Sequence, residues 1–186
     1  CEHCDVCRSG SLNLCRDLRV IGTHSDGAFA EYVKVNAAKL CKLPPDADLR
    51  ACAMAEPFTV GVYAANRFPF HLASTVLVIG AGPIGLCCAL VAQKAGAAQI
   101  LLSKPAAERR ALARSLGFET VDQAQTNLIS LATARGGFQY IFETSGAPRL
   151  HRACHSCLRA ARQHCDGRLF QRPASDRHMG AHAEGG

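Results

Sequence analysis

From Thr75 the chain alternates short apolar runs with stretches where apolar residues recur at helical spacing. Val76, Leu77, Val78 and Ile79 form a β-branched run that reads as a strand buried on both faces. Ile84, Cys87 or Cys88, Val91 and Ala95 then recur as one helical stripe suited to packing on a sheet. The pattern repeats downstream. Gln99–Ser103 reads as a strand, Ala106–Leu116 as a helix ended by Gly117, and Thr120–Asp122 as a short strand. Asn127–Thr133 reads as a helix and Gln139–Glu143 as a fourth strand. Alternation of this kind predicts an α/β fold with a parallel, doubly wound sheet. Pro148–Leu158 is expected to be helical, with Leu150, Cys154, Cys157 or Leu158, and Ala161 on one stripe. From Ala161 to Gly186 there is no Val or Ile and no alternation, so no strand is expected.

Between the first strand and the first helix, Gly80, Gly82 and Gly85 complete G-x-G-x-x-G. Strand, glycine turn and helix together are the context of a Rossmann-type dinucleotide site. Gly80 permits the tight turn, Gly82 lets the backbone approach a pyrophosphate, and Gly85 allows close helix–strand packing. The helix start supplies free N–H groups and a positive dipole end. A flavodoxin-like sheet without dinucleotide is the alternative. About 20 residues on, where such units place an acid on the adenosine ribose, the chain reads Ser103-Lys104. A cation there attracts a 2′-phosphate, so the cofactor, NAD or NADP, is expected to lean to NADP, with Lys104 and Arg109 as contacts. A solvated lysine at a strand end is the competing reading.

The other chemical signal is at the start. Cys1, Cys4, Cys7 and Cys15 have the spacing C-x2-C-x2-C-x7-C, which suits one tetrahedral, closed Zn²⁺ site. A domain does not naturally begin on a metal ligand, so the chain is expected to start inside a longer protein. Disulfides are the alternative. Eleven cysteines, with Cys41, Cys52, Cys87 and Cys88 in apolar stretches of sequence and no signal-like or membrane-spanning run, point to a reducing cytoplasm. The formal charge of +6 marks no nucleic-acid surface. Seven Arg against three acids lie from Ala147 onward, without interleaved aromatics, leaving +2 on the first 146 residues. No nucleic-acid or membrane partner is expected.

A four-cysteine lobe upstream of a Rossmann unit resembles the zinc-dependent medium-chain dehydrogenases, which include alcohol, sorbitol, sugar-acid and threonine dehydrogenases. Ile21–Val35, IGTHSDGAFAEYVKV, is similar to the family's G-x-x-x-D-G-G-F-A-E-Y stretch, with Ala28 replacing the second glycine. Leu43-Pro44 and Asp46–Glu56 resemble its link into the cofactor domain. Ala55–Gly61, AEPFTVG, resembles the polyol and threonine branches, in which a Glu-Pro stands where alcohol dehydrogenases carry a catalytic-zinc Cys.

The resemblance implies a partial GroES-like β domain over 1–38, holding the zinc lobe and leaving unpaired edge strands. It implies a linking helical segment over 39–70 and an incomplete dinucleotide-binding domain over 71–160. Glu56 would lie at or beside the catalytic zinc; an ordinary surface Glu before a helix-starting proline is the alternative. Gly80, Gly82, Pro83, Ile84 and Gly85 would cradle the cofactor, with Ser103, Lys104 and Arg109 at its ribose. Thr59 would line the nicotinamide pocket, and Thr144-Ser145-Gly146 would close over it. His24 would face the substrate or simply lie on the surface. The parent would be a cytoplasmic homo-oligomer oxidising a secondary hydroxyl of a polyol, sugar acid or amino alcohol to a ketone. A threonine dehydrogenase-like enzyme and a non-catalytic NAD(P)- and zinc-binding module are the alternatives.

The family's other catalytic-zinc ligands include the His of a Gly-His-Glu motif, and no His here is followed by Glu or preceded by Gly. These 186 residues are therefore expected to be inactive alone. Residues 161–186 are expected to be an aberrant tail, from a shifted frame or a truncation near Ala161. The alternatives are a natural disordered tail and a second metal cluster on Cys154, His155, Cys157, His164 and Cys165.

Overall fold

The computed structural model describes residues 1–67, 73–147, 150 and 157, and the backbone of 168–171. The chain divides into two compact units, Cys1–Ala47 and Asp48–Gly186.

The first unit has one short helix, α1 (Asp5–Arg8), and two 3-10 turns, Leu12–Leu14 and Ala37–Lys39. The edge strands expected of a partial barrel do not form there. Pairing is limited to a single bridge between Ile21 and Ser25, because an isolated pair of strands has too little apolar contact to hold. The buried apolar side chains of this unit are Cys7 and Cys15, while Phe29 and Tyr32 are fully exposed. Its fold therefore leans on the cysteines.

The second unit starts with α2 (Leu49–Cys52) and α3 (Ala55–Ala65). The Asp48 carboxylate accepts from the Arg50 amide at 2.9 Å and caps α2. There follow β1 (Ser74–Ile79), α4 (Pro83–Lys94), β2 (Ala97–Ser103), α5 (Ala107–Ser115), β3 (Glu119–Val121), α6 (Leu128–Ala134) and β4 (Tyr140–Glu143). Asn127, one of the residues expected to open α6, is its cap instead, accepting from the Ile129 and Ser130 amides at 2.9 and 3.1 Å. With a fifth strand, β5 (Arg168–Gln171), the strands are parallel in the order β3-β2-β1-β4-β5. Val76, Val78 and Phe142 pack with α3, α4 and α5 on one face. Leu77, Ile79 and Ile141 pack with α6 on the other. The sheet is thus doubly wound, as the alternating pattern predicts.

Two differences have physical causes. The buried stripe of α4 is wider than expected, taking in Gly85, Leu86, Cys87, Cys88, Ala89 and Ala92, with Ala95 exposed. The reason is that α3 lies against α4 as the sheet does on its other side. A Cβ on Gly61 of α3 would lie 3.1 Å from the Cys87 carbonyl group, so glycine lets the two helices approach. The second difference is β5 (Arg168–Gln171), which pairs with β4 in a tail expected to hold no strand. Four residues are too few to show a period, and the free edge of β4 offers unpaired backbone groups to whatever chain returns to it. The expected helix over Pro148–Leu158 lies outside the described residues except at Leu150 and Cys157.

Candidate functional site

Register decides what stands at the carboxyl edge of the sheet. Ile79 pairs with Ser103 and with Glu143, and Ser103 pairs with Val121. The next residues, Gly80, Lys104, Asp122 and Thr144, therefore stand side by side just beyond the strand ends. The strand order reverses between β1 and β4, and the crevice outside the carboxyl ends at such a point is where open α/β sheets bind ligands.

Each motif glycine has a distinct environment. Gly80 has φ +110°, which L-residues rarely adopt. A Cβ on Gly85 would lie 1.8 Å from the Gly80 carbonyl oxygen, so α4 can start against the turn only with glycine there. A Cβ on Gly82 would meet nothing within 4 Å, and its φ of −82° suits any residue. Packing of the chain does not demand glycine at 82, whereas a group seated over the turn would. Pro83 is the first residue of α4, and no side chain caps this helix end. Pro83 carries no N–H and the Leu86 amide donates to the Gly82 carbonyl at 2.9 Å, which leaves the Ile84 and Gly85 amides without a helical partner. The Ile84 side chain is half-buried. The residues present suit the pyrophosphate of a dinucleotide.

The Thr144 hydroxyl donates into the turn, to the Ile79 and Gly80 carbonyls at 3.0 and 3.1 Å. It fastens β4 to the glycine turn from below. The buried Glu143 carboxylate accepts from the Ser145 amide at 2.9 Å and hydroxyl at 2.5 Å. Ser103 is fully buried, with its hydroxyl donating to the Gln123 side chain just past β3. Lys104 is half-buried and Arg109 exposed.

Sequence reasoning missed Arg110 and Asp122. The Arg110 guanidinium lies 3.1 Å from Asp122 Oδ2, donates to the Lys104 carbonyl at 2.7 Å and also reaches the Pro105 carbonyl. An acid directly after a strand could have drawn attention to Asp122. Its partner depends on the β2–β3 register, which local spacing does not reveal.

The cysteine quartet is brought together. The sulfurs of Cys1, Cys4, Cys7 and Cys15 all lie within 4.8 Å of one another, with Cys15–Cys1 at 3.4 Å and Cys1–Cys7 at 4.0 Å. Four sulfurs at Zn–S bonds of about 2.3 Å stand about 3.8 Å apart in a tetrahedron. All four are free thiols, not disulfides. Cys4 caps α1, its sulfur accepting from the Cys7 amide at 3.4 Å. That hydrogen bond, with one from the Arg16 backbone, pulls the Cys4 thiol down to about 7, whereas burial raises Cys7. A depressed thiol next to three others is a ready metal donor set.

Glu56 is exposed in the first turn of α3 and belongs to no group of three or more metal-ligand side chains among the described residues. Its charge adds to burial in raising the Cys87 thiol. Thr59 is exposed, its hydroxyl donating to the Ala55 carbonyl at 2.7 Å. The His24 Nδ1 accepts from the Val20 amide at 3.0 Å within its own loop. Of the alternative C-terminal metal cluster, Cys157 is described. It is fully buried among Leu77, Ile79 and Leu128, and burial pushes its thiol up to about 11. Cys154, His155, His164 and Cys165 lie outside the described residues.

Residues 1–45 match the alcohol dehydrogenase GroES-like domain, and residues 83–164 match the zinc-binding dehydrogenase model. The chain belongs to the zinc-binding medium-chain dehydrogenase family. It is 36% identical over 138 residues to the L-galactonate-5-dehydrogenase of Escherichia coli K12, covering 74% of this chain and 40% of that protein. It is 38% identical over 156 residues to an L-threonine 3-dehydrogenase of Streptomyces avermitilis, covering 82% and 45%. A protein of Sinorhizobium meliloti 1021, described as a zinc-binding dehydrogenase and solved bound to NADP, superposes with a TM-score of 0.78 at 31% identity. That match covers 91% of this chain and 50% of the other. The family member described here thus spans between two fifths and half of the length of these proteins. No helix among the described residues is long and apolar enough to cross a membrane.

Proposed function

We propose that the chain is the structural-zinc and dinucleotide-binding part of a dehydrogenase that oxidises a secondary hydroxyl of a polyol or sugar acid to a ketone. The observation that carries this reading is the open face of Gly82 over the uncapped start of α4, at the point where the strand order reverses. Cys1, Cys4, Cys7 and Cys15 would hold one zinc that stabilises its lobe. Gly80, Gly82, Pro83, Ile84 and Gly85 would hold the pyrophosphate, with Lys104 and Arg109 at a ribose 2′-phosphate. NADP is thus favoured over NAD. The Sinorhizobium relative was solved bound to NADP, and an alcohol dehydrogenase of Escherichia coli CFT073 of similar fold was solved with NADH, which supports a dinucleotide as the ligand.

Bound dinucleotide would supply the hydride acceptor. This chain's own residues contribute the turn that fixes it and the Thr144 bond that keeps the turn closed. Glu56, carried on α3, is offered as a zinc-adjacent carboxylate. L-galactonate-like sugar acids are the substrate class proposed here, in keeping with the Escherichia coli relative, and threonine, the substrate named for the Streptomyces relative, is the second.

Zinc-loaded chain mixed with NADP⁺ or NAD⁺ and a panel of L-galactonate, L-idonate, sorbitol and L-threonine tests the reading, with reduced nicotinamide followed by absorbance. The reading expects dinucleotide binding without turnover from these 186 residues, since Glu56 is the one catalytic-zinc ligand the resemblance finds among them. Zinc-dependent oxidation by these residues alone would contradict it.

A further inference from the structure

We propose, resting on that 2′-phosphate reading, that the Arg110–Asp122 ion pair sets cofactor choice by cancelling the carboxylate beside Lys104 and fixing the turn that carries Lys104. The pairing of Ser103 with Val121 puts Lys104 and Asp122 level with each other beyond adjacent strands. A free carboxylate so close to the ribose subsite would accept a 2′-hydroxyl and repel a 2′-phosphate. Asp122 is not free. Its Oδ2 lies 3.1 Å from Arg110 and its Oδ1 accepts from the Ala124 amide at 2.9 Å.

The two side chains are only 16% and 19% exposed, so water screens the pair incompletely. The same guanidinium nitrogen donates to the Lys104 carbonyl at 2.7 Å and also to that of Pro105. From the other side, the Lys104 amide donates to the Val121 carbonyl at 3.1 Å. A lysine on a backbone held from both sides loses less freedom when it meets a phosphate. The nearby acid of α5, Glu108, is exposed in the first turn of that helix. Arg110 is a positioning residue in this account, acting through Lys104 and Asp122.

NADPH and NADH are titrated separately into the zinc-loaded chain and three variants, Arg110→Met, Asp122→Asn and the double variant, with nicotinamide fluorescence as the readout. In the wild-type chain NADPH binds more tightly than NADH. Arg110→Met loses about tenfold for NADPH and little for NADH, and adding Asp122→Asn restores most of the loss. Asp122→Asn alone keeps Arg110 and its carbonyl bonds, and it shifts the preference further to NADPH even if Arg110→Met does not fold. An unchanged NADPH/NADH ratio in Arg110→Met overturns the inference. So does an equal loss for both cofactors without rescue, or a lower NADPH preference in Asp122→Asn. A wild-type chain with no preference for NADPH overturns the 2′-phosphate reading itself, before any variant is considered, and the inference with it.

Discussion

The carbonyl oxygen of Gly80 lies 1.8 Å from where a Cβ on Gly85 would be, while the same addition at Gly82 meets nothing within 4 Å. Two glycines of one motif thus serve different ends. Gly85→Ala forces backbone apart and is expected to cost about 3 kcal/mol or more. Gly82→Ala is expected to change stability by less than about 0.5 kcal/mol while weakening NADPH at least about tenfold. Urea unfolding and fluorescence titration of the two variants separate these effects. Equal destabilisation by both would show that the motif is purely structural.

Thr144→Val removes the hydroxyl shared by the Ile79 and Gly80 carbonyls and keeps the side-chain shape. The expected cost is about 1–2 kcal/mol, with weaker dinucleotide binding because the turn loses its tie to β4. A variant as stable as the wild type, binding equally well, would show that the tie contributes nothing.

Since residues 1–47 bury only Cys7 and Cys15 among their apolar side chains, metal binding there is expected to supply folding energy. One zinc per chain should survive purification, and Cys7→Ser should lose it. Amide exchange should then rise across Cys1–Ala47 and stay unchanged in the strands of Asp48–Gly186. Slow exchange throughout a metal-free Cys1–Ala47 would contradict this.

The Arg135 guanidinium meets both oxygens of the Glu119 carboxylate, one of them at 2.8 Å, and these hydrogen bonds hold Glu119 below the usual carboxylate range. A lowered folded value means that the pair stabilises the fold above the unfolded carboxylate value. The contribution is lost as pH falls through the folded one. With the Glu119 side chain 56% exposed, the gain at neutral pH is expected to stay below about 1 kcal/mol. Glu119→Gln should be less stable than the wild type at pH 7 and equal to it under acid conditions, by urea unfolding at each pH. A stability gap that persists in acid would contradict the ion-pair account.

Much of this architecture is legible in local sequence because local chemistry causes it. Val76–Ile79 is apolar on both faces and ends on glycines, which suits a central parallel strand. Cys1, Cys4, Cys7 and Cys15 lie close enough in sequence that one short helix and one turn gather them. What escapes local reading depends on long-range pairing. The α3–α4 contact through Gly61, the return of Arg168–Gln171 to β4, and the meeting of Arg110 with Asp122 each require a partner far along the chain. The expected strands of Cys1–Ala38 do not form either, since the single bridge there, Ile21 with Ser25, has too little apolar contact around it to extend.

Titration of the zinc-loaded chain with NADPH, beside Gly82→Ala, tests the central claim most directly. The account predicts saturable binding of one dinucleotide per wild-type chain, weakened at least about tenfold in a Gly82→Ala variant that unfolds at the same urea concentration. A folded wild-type chain that binds neither NADPH nor NADH would contradict it.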